Sequence, residues 1–177
     1  MKRFILTIAF AMMALSAYCQ NCIKFLGIPV DGSKHAMISK LQEKGYEYDS
    51  SMGVLKGEFN GKEVFISIQT INNKVWRIGV LDARDTNEAN IKVCFNTLFD
   101  QFLNNGKYEL QIGNKLTDGD DISYEMSVNS KTFGASFAPL DKSVNVVVWY
   151  QILEKYGNYR IGIYYENFDN AANGDDL

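Results

Sequence analysis

The sequence predicts an α+β fold built as two tandem halves. In each half a helix precedes antiparallel strands, with the helices on one face of the sheet and the other face open. Three observations carry this. Two stretches combine helical periodicity with helix-end chemistry, and each is followed by short runs that alternate apolar and polar residues. No strong helix signal interrupts either set of strands, so consecutive strands connect as antiparallel meanders rather than as a doubly wound sheet. With ten Tyr, eleven Phe and only two Pro among 177 residues, the composition is that of a folded, strand-rich chain without a low-complexity linker.

At the N-terminus, Lys2 and Arg3 precede an apolar run from Phe4 to Ala17. The run suits the core of a signal peptide and is shorter than the roughly 20 residues that cross a bilayer. Ala17-x-Cys19 places small residues at −3 and −1, which predicts a leader over 1–19, cleavage before Gln20, and an exported protein, periplasmic or extracellular, with no membrane insertion after cleavage. The alternative is a lipoprotein anchored at Cys19, although bulky Tyr18 stands where a lipobox has a small residue. Cys19 and Cys22 form a Cys-x-x-Cys only if the leader stays, and a redox dithiol belongs at the start of a helix in a βαβ unit. After cleavage Cys22 and Cys94 remain, either bonded to each other or as two free thiols; spacing does not decide between these.

The first half spans 20–84. Asp31-Gly32-Ser33 offers a turn and an N-cap hydroxyl, Met37, Ile38 and Leu41 an apolar helix face, and Gly45 a stop. Strands are predicted at Val54–Phe59, Glu63–Thr70 and Lys74–Leu81, with Asn60-Gly61 and Asn72-Asn73 as hairpin turns. The second half spans 85–166. Its helix, Asn87–Leu103, carries Ile91, Phe95, Leu98 and Phe102 as one stripe. Strands are predicted at Lys107–Ile112, Ile122–Val128, Thr132–Ala138, Val144–Ile152 and Tyr159–Glu166, and 167–177 reads as a polar, flexible tail. Trp76-Arg77-Ile78-Gly79-Val80 is similar to Tyr159-Arg160-Ile161-Gly162-Ile163, and each closes its half, which suggests an internal duplication.

Alternation then assigns faces. Trp76, Ile78 and Val80, with Tyr159, Ile161 and Ile163, are expected to meet the helices. The open side is left with Phe65, Arg77, Leu81, Trp149, Arg160 and Tyr164. Trp, Tyr and Arg are the residue types that dominate binding hot spots, and a glycine in each strand (Gly79, Gly162) invites close approach of another backbone. The competing account is that strands favour aromatics in any case and that this face is buried between the halves.

The opening Phe25–Tyr46, "FLGIPVDGSKHAMISKLQEKGY", followed by "KGEFNGKEVFISI" and "NKVWRIGVL", resembles the beta-lactamase inhibitor protein fold. It is also similar to small periplasmic proteins grouped with PepSY-like domains. The resemblance lies in element order and implies a sheet surface that grips a partner. In the inhibitor family each half has a pair of helices; here one clear helix precedes each sheet and no inhibitory loop is found.

Removal of the leader leaves 16 basic against 21 acidic residues, net −5. This argues against a nucleic-acid partner, which demands a basic stripe. Lone His35 and lone Cys94 supply no zinc pair. Asp118-Gly119-Asp120-Asp121 lacks the spacing of a calcium loop and reads as a wet turn. No Gly-rich turn opens a helix after a strand, so no cofactor is predicted. The expectation is therefore a non-enzymatic protein that binds another protein in the cell envelope through the open face. The alternative is a small-ligand carrier or hydrolase-like enzyme with a pocket between sheet and helices, using Glu109, Glu125, Tyr124 and Tyr159. A third reading makes the chain a subunit of an envelope assembly.

Overall fold

A computed structural model of the chain describes residues 23–141 and 145–171. The leader, its cleavage site, Cys19 and Cys22 lie outside the described residues, and with them the question of a Cys22–Cys94 bond. A short hairpin, β1 (Lys24–Phe25) and β2 (Ile28–Pro29), leads into α1 (Lys34–Gln42), then β3 (Glu47–Asp49), β4 (Val54–Phe59), β5 (Lys62–Ile71) and β6 (Lys74–Asp82). The chain continues through α2 (Glu88–Leu103), β7 (Tyr108–Ile112), α3 (Ile122–Ser127), β8 (Gly134–Pro139), β9 (Val146–Lys155), β10 (Asn158–Asn167) and α4 (Phe168–Ala171). The class is α+β. β3 to β10 form one antiparallel sheet in the order β3-β4-β5-β6-β10-β9-β8-β7, with α1 and α2 packed on a single face.

Local chemistry sets the main elements. The Ser33 hydroxyl caps α1 by accepting from the Ala36 N–H at 3.3 Å, and the Asn87 side chain caps α2 by accepting from Asn90 at 2.9 Å. Gly45 leaves α1 at φ +93, a left-handed conformation that glycine adopts without a Cβ penalty. Asn60-Gly61 and Asn72-Asn73 have positive φ at both positions, as two-residue hairpins require to match the strand twist.

Two meanders meet edge to edge at β6 and β10, where Val80 pairs with Ile163. The two stretches alike in sequence thus occupy neighbouring central strands. The sheet is continuous across this seam, so the open face is not buried between halves.

The helix-covered face holds the core. Ile91, Phe95, Leu98, Phe99 and Phe102 of α2 are buried against Tyr150, Phe137 and Ile163. Rings of Phe102, Phe137 and Tyr150 stack within 5.0–6.3 Å, and Phe95 meets Tyr150 edge-on at 4.9 Å. The Tyr150 hydroxyl donates to the Phe95 carbonyl at 3.1 Å, which satisfies the one polar atom in this layer.

Burial raises the phenols of Tyr46, Tyr108, Tyr150 and Tyr165 above the ordinary 10.0, with Glu58 adding to the effect on Tyr46. In the unfolded chain these groups ionise near pH 10; in the native state they keep their protons beyond it. Their contribution to stability is therefore complete below pH ~10 and declines as pH rises further. Urea midpoints measured from about pH 8 to about pH 11 are expected to fall above pH ~10. A flat midpoint would show these phenols to be accessible in the native protein.

Three expectations need correction. The segment Ile122–Val128 is not a strand. Asp121 caps a helix there by accepting from the Tyr124 N–H, and β7 pairs directly with β8, leaving no sheet position between them. Trp76 does not face the helices. The β5–β6 register shifts between Gln69 and Thr70, so Gln69 pairs with Arg77 and Thr70 with Val75. Trp76 is the extra residue of this bulge; buried Val75 takes the inward place, and the Trp76 ring lies 4.1 Å from the Arg77 guanidinium on the other side. The polar tail also begins later than its composition suggests. Asn167 closes β10 and donates to the Val30 carbonyl, while Asn170 of α4 donates to Asp31 Oδ1 and the Val75 carbonyl.

Candidate functional site

The helix-free face of the sheet gathers all six residues singled out by sequence. Phe65 of β5 pairs with Leu81 of β6, which pairs with Gly162 of β10. One step along, Gly79 pairs with Tyr164, and Tyr164 with Trp149 of β9. Arg77 lies opposite Glu166, and Arg160 opposite Leu153. Strand register alone places these side chains together, because directly paired residues share a face. All six are half-buried.

Trp149 and Tyr164 stack with centroids 4.2 Å apart and planes 22° from parallel. The glycines beside them serve this stack. A Cβ at Gly162 would stand 2.9 Å from the Tyr164 hydroxyl and 3.2 Å from its ring, and one at Gly79 would stand 2.7 Å from Ser67 Oγ. The space that a foreign backbone was expected to enter is filled by the chain's own side chains, and the expected role of the two glycines is corrected accordingly.

Neither arginine is free. Arg77 Nη2 lies 2.6 Å from Glu166 Oε1, whose side chain is only 5% exposed. The contact is a charge pair rather than an aligned hydrogen bond: Arg77 Nε and Glu166 Oε1 both lack a well-directed partner among the described residues. Trp76 covers the guanidinium, with the Tyr164 ring 5.8 Å away. Arg160 is bound through Nε to the Asp85 carboxylate, which is held below the usual carboxylate range by that hydrogen bond. Glu166 was legible in principle, two residues beyond Tyr164 on the same strand face. Asp85, in a loop 75 residues from its partner, carried no local signal.

The residues of the enzymatic alternative are scattered. Tyr159 is buried on the helix side of β10; Glu109 lies on β7, three strands away. Glu125 is in α3, 3.8 Å from Lys131, and Tyr124 is exposed beside it. A different cluster lies at the end of β5 and β6, where a cavity of about 440 Å³ is lined by Lys62, Asp82 and Cys94 among others. Lys62 Nζ donates to Asp82 Oδ2 at 2.9 Å and to Cys94 Sγ at 3.3 Å. Burial works to lower the Lys62 pKa, but Asp82 and then Cys94 outweigh it and raise it. The thiol's neighbour is thus a firmly protonated ammonium, not the base that nucleophilic catalysis needs. Asp120 caps Thr117 and Asp121 caps α3, and His35 stands exposed on α1. Among the described residues no three His, Cys, Asp or Glu side chains converge on a metal position, and no helix is long and apolar enough to cross a membrane.

Compared with protein-family models, with curated proteins and with solved structures, the chain matches none.

Proposed function

We propose that this chain is an exported, non-enzymatic protein that binds another protein of the cell envelope through the helix-free face of its sheet. The observation that carries the reading is the asymmetry of the sheet. One face is covered by helices, while the other bears Trp149, Tyr164, Trp76, Phe65 and Leu81 half-buried with no helix or strand of the described residues over them. Aromatic clusters in such positions are what interface cores use. In the inhibitor family whose element order this sequence resembles, the same sheet surface grips the partner. A carrier role is supported less. Its expected lining residues, Glu109, Glu125, Tyr124 and Tyr159, do not converge on one space.

The test is a cross-linking pull-down from envelope extracts with the wild-type protein, Trp149→Ala and Arg160→Glu, each checked for a cooperative melt. Arg77 is unsuitable, because its removal strands a buried carboxylate. Loss of the same cross-linked partner in both variants is expected, with affinity reduced about tenfold or more for Trp149→Ala, the cost of truncating an aromatic anchor. An unchanged set of partners would sink the reading.

A further inference from the structure

On the helix-covered side of the sheet the two halves leave a cleft of about 300 Å³, at the lower end of the roughly 300–1,000 Å³ of small-molecule sites. β10 supplies its floor with Ile163 and Tyr165, α2 contributes Leu98 and Phe102, and the first half contributes Phe59 and, from the β1–β2 turn, Leu26. At the rim the Asn60 side-chain amide donates to Gln101 Oε1 at 2.8 Å, which ties the β4–β5 turn to α2. Glu109, Glu125, Tyr124 and Tyr159 take no part in it.

Two features of this cleft go beyond core packing. The first is Tyr165. The hydroxyls of Tyr46 and Tyr150 donate to the Glu58 and Phe95 carbonyls, whereas Tyr165, only 7% exposed, makes no hydrogen bond through its hydroxyl among the described residues. Unlike Arg77 Nε and Glu166 Oε1, that hydroxyl is not sealed from open space, and the space Tyr165 lines is the cleft. Burial holds its phenol above the ordinary 10.0, so it keeps its proton and serves as a donor. A buried hydroxyl needs a partner, and only an occupant of the cleft can supply it. The second feature is Leu26, held at φ +52 beside Gly27 at +81. Asn60 and Asn72 hold the same position in two other hairpins, and Tyr156, 90% exposed, holds it in a third. A branched apolar residue is strained in this conformation, and here its half-buried side chain lines the cleft. Such strain is characteristic of ligand clamps.

We infer that this cleft binds a small uncharged molecule with a flat apolar body and one hydrogen-bond acceptor, which takes the bond from the Tyr165 hydroxyl while the body lies against Phe59, Phe102 and Leu26. The lining dictates this chemistry. It includes no Lys, Arg or His, and its one ionised residue, Glu58, is acidic and exposed, so an anion finds no counter-charge here. The rings of Phe59 and Phe102 suit a planar ligand, and a single buried donor among apolar walls selects for one oxygen correctly placed. The cleft lies on the opposite side of the sheet from the proposed protein interface, and the inference does not rest on that reading.

The experiment maps backbone amide shifts of the protein on titration with acetophenone, a planar ring bearing one carbonyl, beside benzoate, which has the same shape and a negative charge. Saturable shifts are expected around Leu26, Asn60, Leu98 and Tyr165 with acetophenone only, at a dissociation constant on the order of 1 mM for so small a probe. Tyr165→Phe removes the donor and keeps the ring. It is expected to weaken acetophenone binding about fivefold, the worth of one hydrogen bond, while the melting midpoint stays at or above that of the wild type, because no bond within the chain is lost. Leu26→Asn, which installs a residue favoured in such turns, is expected to weaken binding as well. Shifts centred elsewhere, no saturation at about ten times that concentration, equal binding of benzoate, or unchanged affinity in either variant would each overturn the inference. So would a lowered midpoint for Tyr165→Phe, which would show the hydroxyl to be bonded within the chain.

Discussion

Replacing Tyr150 with alanine is expected to remove about 3–5 kcal/mol of folding stability. Tyr150 has no exposed surface and is the largest of the fully buried side chains. Its ring is held among Phe95, Phe102 and Phe137, and its hydroxyl supplies a hydrogen bond to the α2 backbone. Truncation opens a cavity between helix and sheet that the stacked rings cannot collapse into without leaving their rotamers. Urea unfolding measures this as a lower midpoint at unchanged m. Tyr150→Phe separates the terms: it keeps the ring and loses only the hydrogen bond, at about 1 kcal/mol. A loss below ~1 kcal/mol for the alanine variant would mean that the aromatic layer is not closely packed.

The second large effect is expected at the seam between β6 and β10. Arg77→Leu removes the cation paired with Glu166 and leaves a carboxylate that is almost wholly buried without that counter-charge, which costs about 3 kcal/mol or more. Glu166→Leu should cost less, because the Arg77 side chain is 26% exposed and its charge retains water. The double variant Arg77→Leu/Glu166→Leu should recover most of the loss, since an apolar pair replaces an ion pair at little net cost. The coupling energy from the three unfolding curves checks this. Additive losses would show that the two charges do not depend on each other. The result also bears on function, because a binding assay that reverses Arg77 would report unfolding as lost affinity.

Much of the architecture is decided within a few residues. Ser33 and Asn87 cap helices by reaching three residues ahead, and Asn60-Gly61 and Asn72-Asn73 adopt hairpin conformations that other residues resist. Period-two alternation along Val146–Ile152 and Tyr159–Ile163 sorts side chains into a buried and a half-buried set without reference to any partner strand. That is why the α+β class, the two main helices and the common face of Phe65, Leu81, Trp149 and Tyr164 were legible in the chain alone. The tertiary structure decided what depends on distant neighbours. A one-residue shift against β5 turned Trp76 to the open side, an outcome that alternation within β6 excludes. The segment Ile122–Ser127, short enough to satisfy either period, is a helix capped by Asp121 and tied to α2 by the Ile122 N–H donating to Glu88 Oε1, while β7 pairs directly with β8. Arg77 and Arg160 read as free hot-spot charges until folding brought Glu166 and Asp85 against them. Charge pairing across such separations leaves no periodic trace in sequence, and so whether these two arginines stay free was decided by the fold.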